Sequence, residues 1–152
     1  MTRAIIPAQV DGKPVVAIGD AAFWDTSLES VAFPDGLTTI GPCAFSCTSL
    51  KSVAFPDGLT EIGPCAFSCC TLLKSVAFPD GLTEIGRYAF GDCYALETVA
   101  LPDSLTEIGF EAFSRDCDEI CGAELTIIAS DGSYAAEYAK NQRIKRVAPE
   151  RD

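Results

Sequence analysis

Histidine is absent from this 152-residue chain. Its absence removes the usual catalytic base at neutral pH, the Ser-His-Asp and Cys-His nucleophilic mechanisms, and imidazole ligands for metal ions. The sequence also lacks a glycine-rich phosphate loop and a dinucleotide-binding fingerprint. We therefore predict no catalytic residue, no cofactor, no cofactor-binding residue and no metal site, and we do not expect an enzyme.

Basic residues are scarce, with 11 Lys and Arg against 22 Asp and Glu and a net charge of −11. Nucleic acids and anionic membranes both require clusters of basic side chains, so neither is an expected partner. No apolar run reaches the roughly 18 residues that span a membrane, so membrane insertion is not expected. Residues 1–20 lack the basic start and apolar stretch of a signal peptide, which keeps a cytoplasmic location open.

One unit of 22 or 23 residues is repeated along the chain. Its Ile-Gly pair recurs at a spacing of 22, 22, 23 and 23, and an Ala-Phe pair keeps step with it. Such a period is typical of a solenoid, in which each coil buries its apolar residues against its neighbours. The isoleucines of the pair are Ile18, Ile40, Ile62, Ile85 and Ile108.

The unit at 50–72 predicts the course of one coil. Alternation over its first residues predicts a short strand, with Val53 and Phe55 inward and Ser52 and Ala54 outward. Pro-Asp-Gly then forms a turn, Leu-Thr-Glu-Ile-Gly a second extended segment, and Pro-Cys-Ala-Phe-Ser-Cys a tight helical turn. Each unit should therefore add one strand to a ladder.

The pattern Leu-x-x-Val-x-Phe/Leu-Pro-x-x-Leu-x-x-Ile-Gly-x-x-Ala-Phe, with a Cys just after the Phe, resembles the BspA-like, or treponemal-type, leucine-rich repeat. It occurs at 28–49, 50–72, 73–95 and 96–117. The resemblance implies a mainly β right-handed solenoid with short helical turns, a parallel strand ladder and a short C-terminal capping helix. We predict a single domain over 1–147, with an N-terminal capping coil (1–27), repeats at 28–49, 50–72, 73–95 and 96–124, a C-terminal cap (125–147) and a tail (148–152).

Both ends carry their own signals. Asp11-Gly12 suits a hairpin-like turn in the capping coil, and Trp24 is expected at a solvent edge. Ser133 is expected to cap a helix from Tyr134 to Asn141, and residues 144–147 are expected to form a last strand.

The outward residues of the ladder are small and should stack in columns about 4.8 Å apart from coil to coil. A face of this kind lets a partner approach closely, although small side chains are equally tolerated on a solvated sheet. A second column, formed by Glu61, Glu84 and Glu107, should bring like charges together. The candidate partner-binding residues are Ser30, Ala32, Ser52, Ala54, Ser75, Ala77, Thr98 and Ala100, with Lys51 and Lys74 at the border.

The eight cysteines fall into three groups. Those just after the Phe, namely Cys47, Cys69 or Cys70, Cys93 and Cys117, favour buried thiols that pack as small hydrophobes. Cys43 and Cys65 share another position, where stacking brings them close but parallel side chains suit a disulfide poorly. Cys117 and Cys121 flank an insertion and are the candidate disulfide.

We predict a non-enzymatic protein–protein interaction module. Its partner would bind at the ladder or at the insertion 114–124. The family resemblance implies a surface-exposed or secreted protein that adheres to host or matrix proteins. One alternative is a structural solenoid that self-associates through its ends. The weakly polar first coil favours this alternative. A third possibility is a thiol or metal sensor.

Overall fold

A computed structural model describes residues 2–116 and 124–150. In this part of the chain, a β-solenoid carries two kinds of short strand and ends in helix α1 (Tyr134–Asn141). The three-residue strands are β1 (Arg3–Ile5), β5 (Ser30–Ala32), β7 (Ser52–Ala54), β9 (Ser75–Ala77), β11 (Thr98–Ala100), β13 (Thr126–Ile128) and β14 (Lys145–Val147). The two-residue strands are β2 (Gln9–Val10), β3 (Lys13–Pro14), β4 (Ala17–Ile18), β6 (Thr39–Ile40), β8 (Glu61–Ile62), β10 (Glu84–Ile85) and β12 (Glu107–Ile108).

The three-residue strands form the predicted parallel ladder. β1 pairs with β5, β7 with β9, and β13 with both β11 and β14, all in parallel. β5 also lies against β7, and β9 against β11. The predicted alternation is confirmed in β7, β9 and β11, because the central valine of each strand is buried between two exposed residues.

The two-residue strands build a second parallel ladder, in the order β12, β10, β8, β6 and β4. Its isoleucines stack in register and are buried in the core. The glycine after each isoleucine from Ile40 onward permits this stacking. A methyl group added to Gly86 would lie 2.5 Å from the backbone nitrogen of Pro64. The repeated Ile-Gly pair is thus required by the close approach of neighbouring coils.

The stretch after each Ile-Gly closes the coil through consecutive turns. The predicted tight turn is present, with hydrogen bonds from Ala66 N–H to Gly63 O (3.3 Å) and from Ser68 N–H to Cys65 O (3.1 Å). It does not continue as a helix, because Phe67 N–H donates instead to Ala89 O on the next coil (2.7 Å).

Phenylalanines fill the centre of the solenoid. Consecutive rings of the Ala-Phe pair stack almost parallel, with centroids 5.1 to 5.4 Å apart. A second column, formed by Phe33, Phe55 and Phe78, packs edge-on against the first. The rings of the first column are Phe23, Phe45, Phe67, Phe90 and Phe113.

Both ends follow their sequence signals. β2 and β3 form an antiparallel hairpin whose turn has positive φ at Asp11 (52°) and Gly12 (76°). Ser133 caps α1, since its Oγ accepts a hydrogen bond from Ala136 N–H (3.1 Å). The buried ring of Tyr138 then packs against Phe113 at 6.3 Å and closes the core. The hairpin, the capping helix and the last strand are confirmed.

Candidate protein-binding face

The predicted binding residues lie in two columns along the first strand ladder. Ser52 is in register with Ser75, and Ala54 with Ala77. All four residues are exposed, as are Thr98 and Ala100. Ser30 and Ala32 are half-buried, and their strand pairs with β1, which carries the larger side chains of Arg3 and Ile5 beside them. We call these two columns, with Lys51 and Lys74 on their border, the ladder face.

The columns extend further than the repeats indicate. Arg3 and Ile5 continue them at one end, in register with β5. Lys145 and Val147 continue them at the other end, in register with β13. Ile5 is 69% exposed and Val147 is 40% exposed. The alanine column therefore ends in a branched apolar side chain on each side, and the serine column ends in a cation.

Two lysines lie at the border of the ladder face, in a chain of net negative charge. Lys51 and Lys74 are exposed and adjacent, since Lys74 N–H donates to Lys51 O (2.9 Å). Glu29 precedes them on the neighbouring coil, where its carbonyl accepts from Lys51 N–H (3.4 Å). Within residues 2–116 and 124–150, neither ammonium group forms an ion pair. Both lysines therefore present an unpaired positive charge at the border of the ladder face.

The family described as BspA type leucine rich repeat region matches residues 12–130 in six copies. The chain belongs to this BspA-type leucine-rich-repeat family. The solenoid and its parallel ladder are thus those of a leucine-rich-repeat protein, an architecture consistent with a protein-interaction module.

Solved structures similar to this BspA-type chain include a leucine-rich-repeat protein and a vaccine antigen. The leucine-rich-repeat protein of Treponema pallidum is 40% identical with a TM-score of 0.75, and the match covers 84% of this chain. The pneumococcal vaccine antigen PcpA is 22% identical with a TM-score of 0.64 over 78% of this chain, which shows the fold alone. The match covers 58% of the Treponema chain and 40% of PcpA. The search of curated proteins found no match.

Other site chemistry is sparse in the part of the BspA-type chain that the structure describes. No group of three Cys, Asp or Glu side chains is arranged to hold a metal ion there. No helix among those residues is long and apolar enough to cross a membrane. The predicted glutamate column is confirmed, because Glu84 is in register with both Glu61 and Glu107. Burial, followed by the charges of these two neighbours, raises the pKa of Glu84.

The buried thiols occupy one column. Cys70 and Cys93 are 0% and 2% exposed, and each donates to the carbonyl oxygen of a phenylalanine on an earlier coil, at 3.1 and 3.2 Å. Contact with Cys70, together with burial, raises the pKa of Cys93, which therefore stays protonated. For this pair, the expectation of buried structural thiols is confirmed.

Cys47 does not belong to this column, contrary to the sequence prediction. It is exposed, and the buried position on its coil is taken by Thr48, whose Oγ1 lies 3.3 Å from Cys70 Sγ. The reason is that the buried position is the third residue after the phenylalanine, where Thr48, Cys70 and Cys93 lie, whereas Cys47 is the second residue after Phe45. The candidate disulfide of Cys117 and Cys121 lies outside the described residues, as does most of the insertion 114–124.

Proposed function

We propose that this chain is a non-enzymatic protein-binding module whose partner docks on the ladder face. The observation that carries the proposal is the continuous, exposed and small-sided surface formed by β7, β9 and β11. Its alanine column is exposed in every one of these strands. Small side chains let a partner's backbone or flat surface approach closely, and a rigid sheet loses little entropy on binding.

The surroundings of the ladder face indicate the chemistry of the partner. Lys51 and Lys74 carry positive charges in a chain with an excess of acidic residues, so they favour a partner segment with acidic side chains. Ile5 and Val147 add apolar contacts at the two ends. An extended or flat protein segment, acidic opposite the lysines and apolar at its ends, fits these features best.

Surface exposure or secretion, with adhesion to a host or matrix protein, is the biological role that we propose. The support is family membership and the similarity to the Treponema leucine-rich-repeat protein. This chain spans little more than half of that relative. Adhesion by a whole protein of that length is therefore part of the proposal.

A pair of double variants tests the ladder face. Ala54→Glu with Ala77→Glu should abolish binding to any purified matrix or serum protein that the wild type retains, because both bulk and charge enter the face. Thr60→Glu with Thr83→Glu places the same charges on the same two coils but outside the face, and should leave binding intact. Circular dichroism must show both variants folded.

Two results would oppose the proposal. Equal binding by the two double variants would place the site elsewhere on the chain. If the wild type retained no protein from a broad set of purified matrix and serum proteins, the adhesive role would be rejected.

Self-association through the first coil is the second candidate function. Ile5, Val10, Val16 and Trp24 are 48% to 69% exposed at this end. Along the described chain, β1 pairs with β5 alone and β4 with β6 alone, so each presents an open edge. Two copies meeting at these edges would cover the apolar side chains. Solution scattering at increasing concentration tests this idea, and a strictly monomeric particle would reject it.

A further inference from the structure

Two pairs of cysteines lie side by side on the turns of neighbouring coils. Cys43 N–H donates to Pro64 O at 3.0 Å, which sets Cys43 beside Cys65. Cys47 N–H donates to Ser68 O at 2.9 Å, which sets Cys47 beside Cys69. Neighbouring rungs are about 4.8 Å apart, a spacing that falls within the roughly 4.4–6.8 Å between the Cα atoms of a disulfide. Bond formation then requires the two parallel side chains to rotate about χ1 toward each other.

Packing does not account for these four thiols. Cys47 is exposed, and Cys43, Cys65 and Cys69 are half-buried. All four have left-handed backbone, with φ between 55° and 59°. This conformation is uncommon for residues other than glycine, asparagine and aspartate. The cysteines therefore occupy positions where neither burial nor backbone preference favours them, in contrast to the fully buried Cys70.

The thiols of each pair also affect one another. Burial, then the charge of Cys43 and a hydrogen bond with it, raise the pKa of Cys65. Burial raises the pKa of Cys69, and contact with Cys47 adds to that effect. The raised pKa keeps Cys65 and Cys69 mainly as thiols at neutral pH. Mildly alkaline buffer will speed their exchange reactions, because the thiolate is the nucleophile.

We propose that these pairs are sites of reversible oxidation, forming one disulfide between Cys43 and Cys65 and another between Cys47 and Cys69. The oxidant is a small-molecule disulfide, with oxidised glutathione as the probe. One protein thiolate attacks it and releases a reduced glutathione; the neighbouring thiolate then displaces the second. Two protein thiols lose two hydrogens, and one oxidised glutathione becomes two reduced molecules. The bonds join two successive repeats without touching the ladder face.

The experiment uses the full chain with Cys117→Ser and Cys121→Ser, so that the six described thiols alone are read. The protein is incubated with excess oxidised glutathione at mildly alkaline pH and its intact mass is recorded. Chymotrypsin, cutting after Phe45 and Phe67, and trypsin, cutting after Lys51, then place Cys43, Cys47, Cys65 and Cys69 on four separate peptides. We expect the loss of four hydrogens, no retained glutathione, linked peptides for both pairs, and free thiols at Cys70 and Cys93.

A single substitution is the matched control. Cys47→Ser should lose two hydrogens instead of four, keep the link between Cys43 and Cys65, and leave Cys69 carrying one glutathione. The proposal is overturned if the parent protein retains glutathione on its surface thiols without losing hydrogens. It is equally overturned if the links run within a coil, from Cys43 to Cys47 or from Cys65 to Cys69.

Discussion

Phe67 and Phe90 lie face to face, with ring centroids 5.2 Å apart and planes 2° from parallel. They are equivalent residues of successive repeats, and each is at most 1% exposed. Each coil therefore covers the apolar face of the next coil. In this way, units of some 22 residues share one core when they stack.

Truncating the ring at Phe67 should be far more costly than truncating it at the start of the column. Phe67→Ala removes contacts with rings on both sides and should lower the free energy of unfolding by about 3–5 kcal/mol. Phe23→Ala removes a half-buried ring that stacks on one neighbour alone, and should cost less than half as much. Urea unfolding followed by circular dichroism measures both. Equal losses would contradict the stacking account.

The Ile-Gly pair offers a matched test of coil spacing. Gly86→Ala drives a methyl group into the backbone of the previous coil and should destabilise the fold by about 1–3 kcal/mol or more. Gly19→Ala changes the equivalent residue of the first coil, where no atom lies within 4 Å, and should stay within about 0.5 kcal/mol of wild type. Thermal unfolding of the two variants should separate them clearly. A tolerated alanine at position 86 would show that the coils can move apart.

The glutamate column predicts a charge-dependent gain in stability. Glu84→Gln should stabilise the protein at neutral pH by a fraction of a kcal/mol, because the carboxylate lies between two others. The folded pKa of Glu84 is raised, so its penalty is present above that pKa and disappears as the pH falls through it. The gain should therefore shrink near pH ~4 and at high salt. A gain independent of both would point to packing instead.

Tyr138 should make the C-terminal cap sensitive to alkali. Burial is the main cause that raises the pKa of Tyr138, from 10.0 to about 12. Above pH ~10 the unfolded state loses this proton while the folded state keeps it, so stability should fall up to pH ~12. Tyr138→Phe should remove this part of the pH dependence. An identical alkaline profile for both proteins would contradict the assignment.

The helix cap predicts a smaller, local effect. Ser133→Ala removes the oxygen that accepts from Ala136 N–H and should cost about 1 kcal/mol. Ser133→Asp keeps an acceptor at the same position and should recover most of that stability. Hydrogen exchange in α1 is the measurement. Unchanged exchange in the alanine variant would show that the cap does not limit opening of the helix.

Much of the fold follows from the sequence, because the repeat imposes one conformation on each unit. The period-two pattern around Val53 correctly placed Ser52 and Ala54 outside, and the repeat then carried this assignment to the neighbouring coils. The stacking of Glu84 on its neighbours followed from the same period.

What the sequence did not reveal depends on single-residue shifts and on contacts outside the repeat. Cys47 lies at the surface and Thr48 in the core because the buried position is the third residue after the phenylalanine and Cys47 is the second. The end strands carry no copy of the repeat, so the registers of Arg3 and Lys145 with the ladder had no pattern to indicate them.

Site-specific photocrosslinking can show whether a partner lies on the ladder face. A benzophenone amino acid would replace Lys51, at the border of the ladder face, in one protein and Thr60 in another, two exposed positions on the same coil. With a purified protein that binds the wild type, we predict a covalent adduct from position 51 and little from position 60. Efficient crosslinking from position 60 with none from position 51 would contradict a partner on the ladder face.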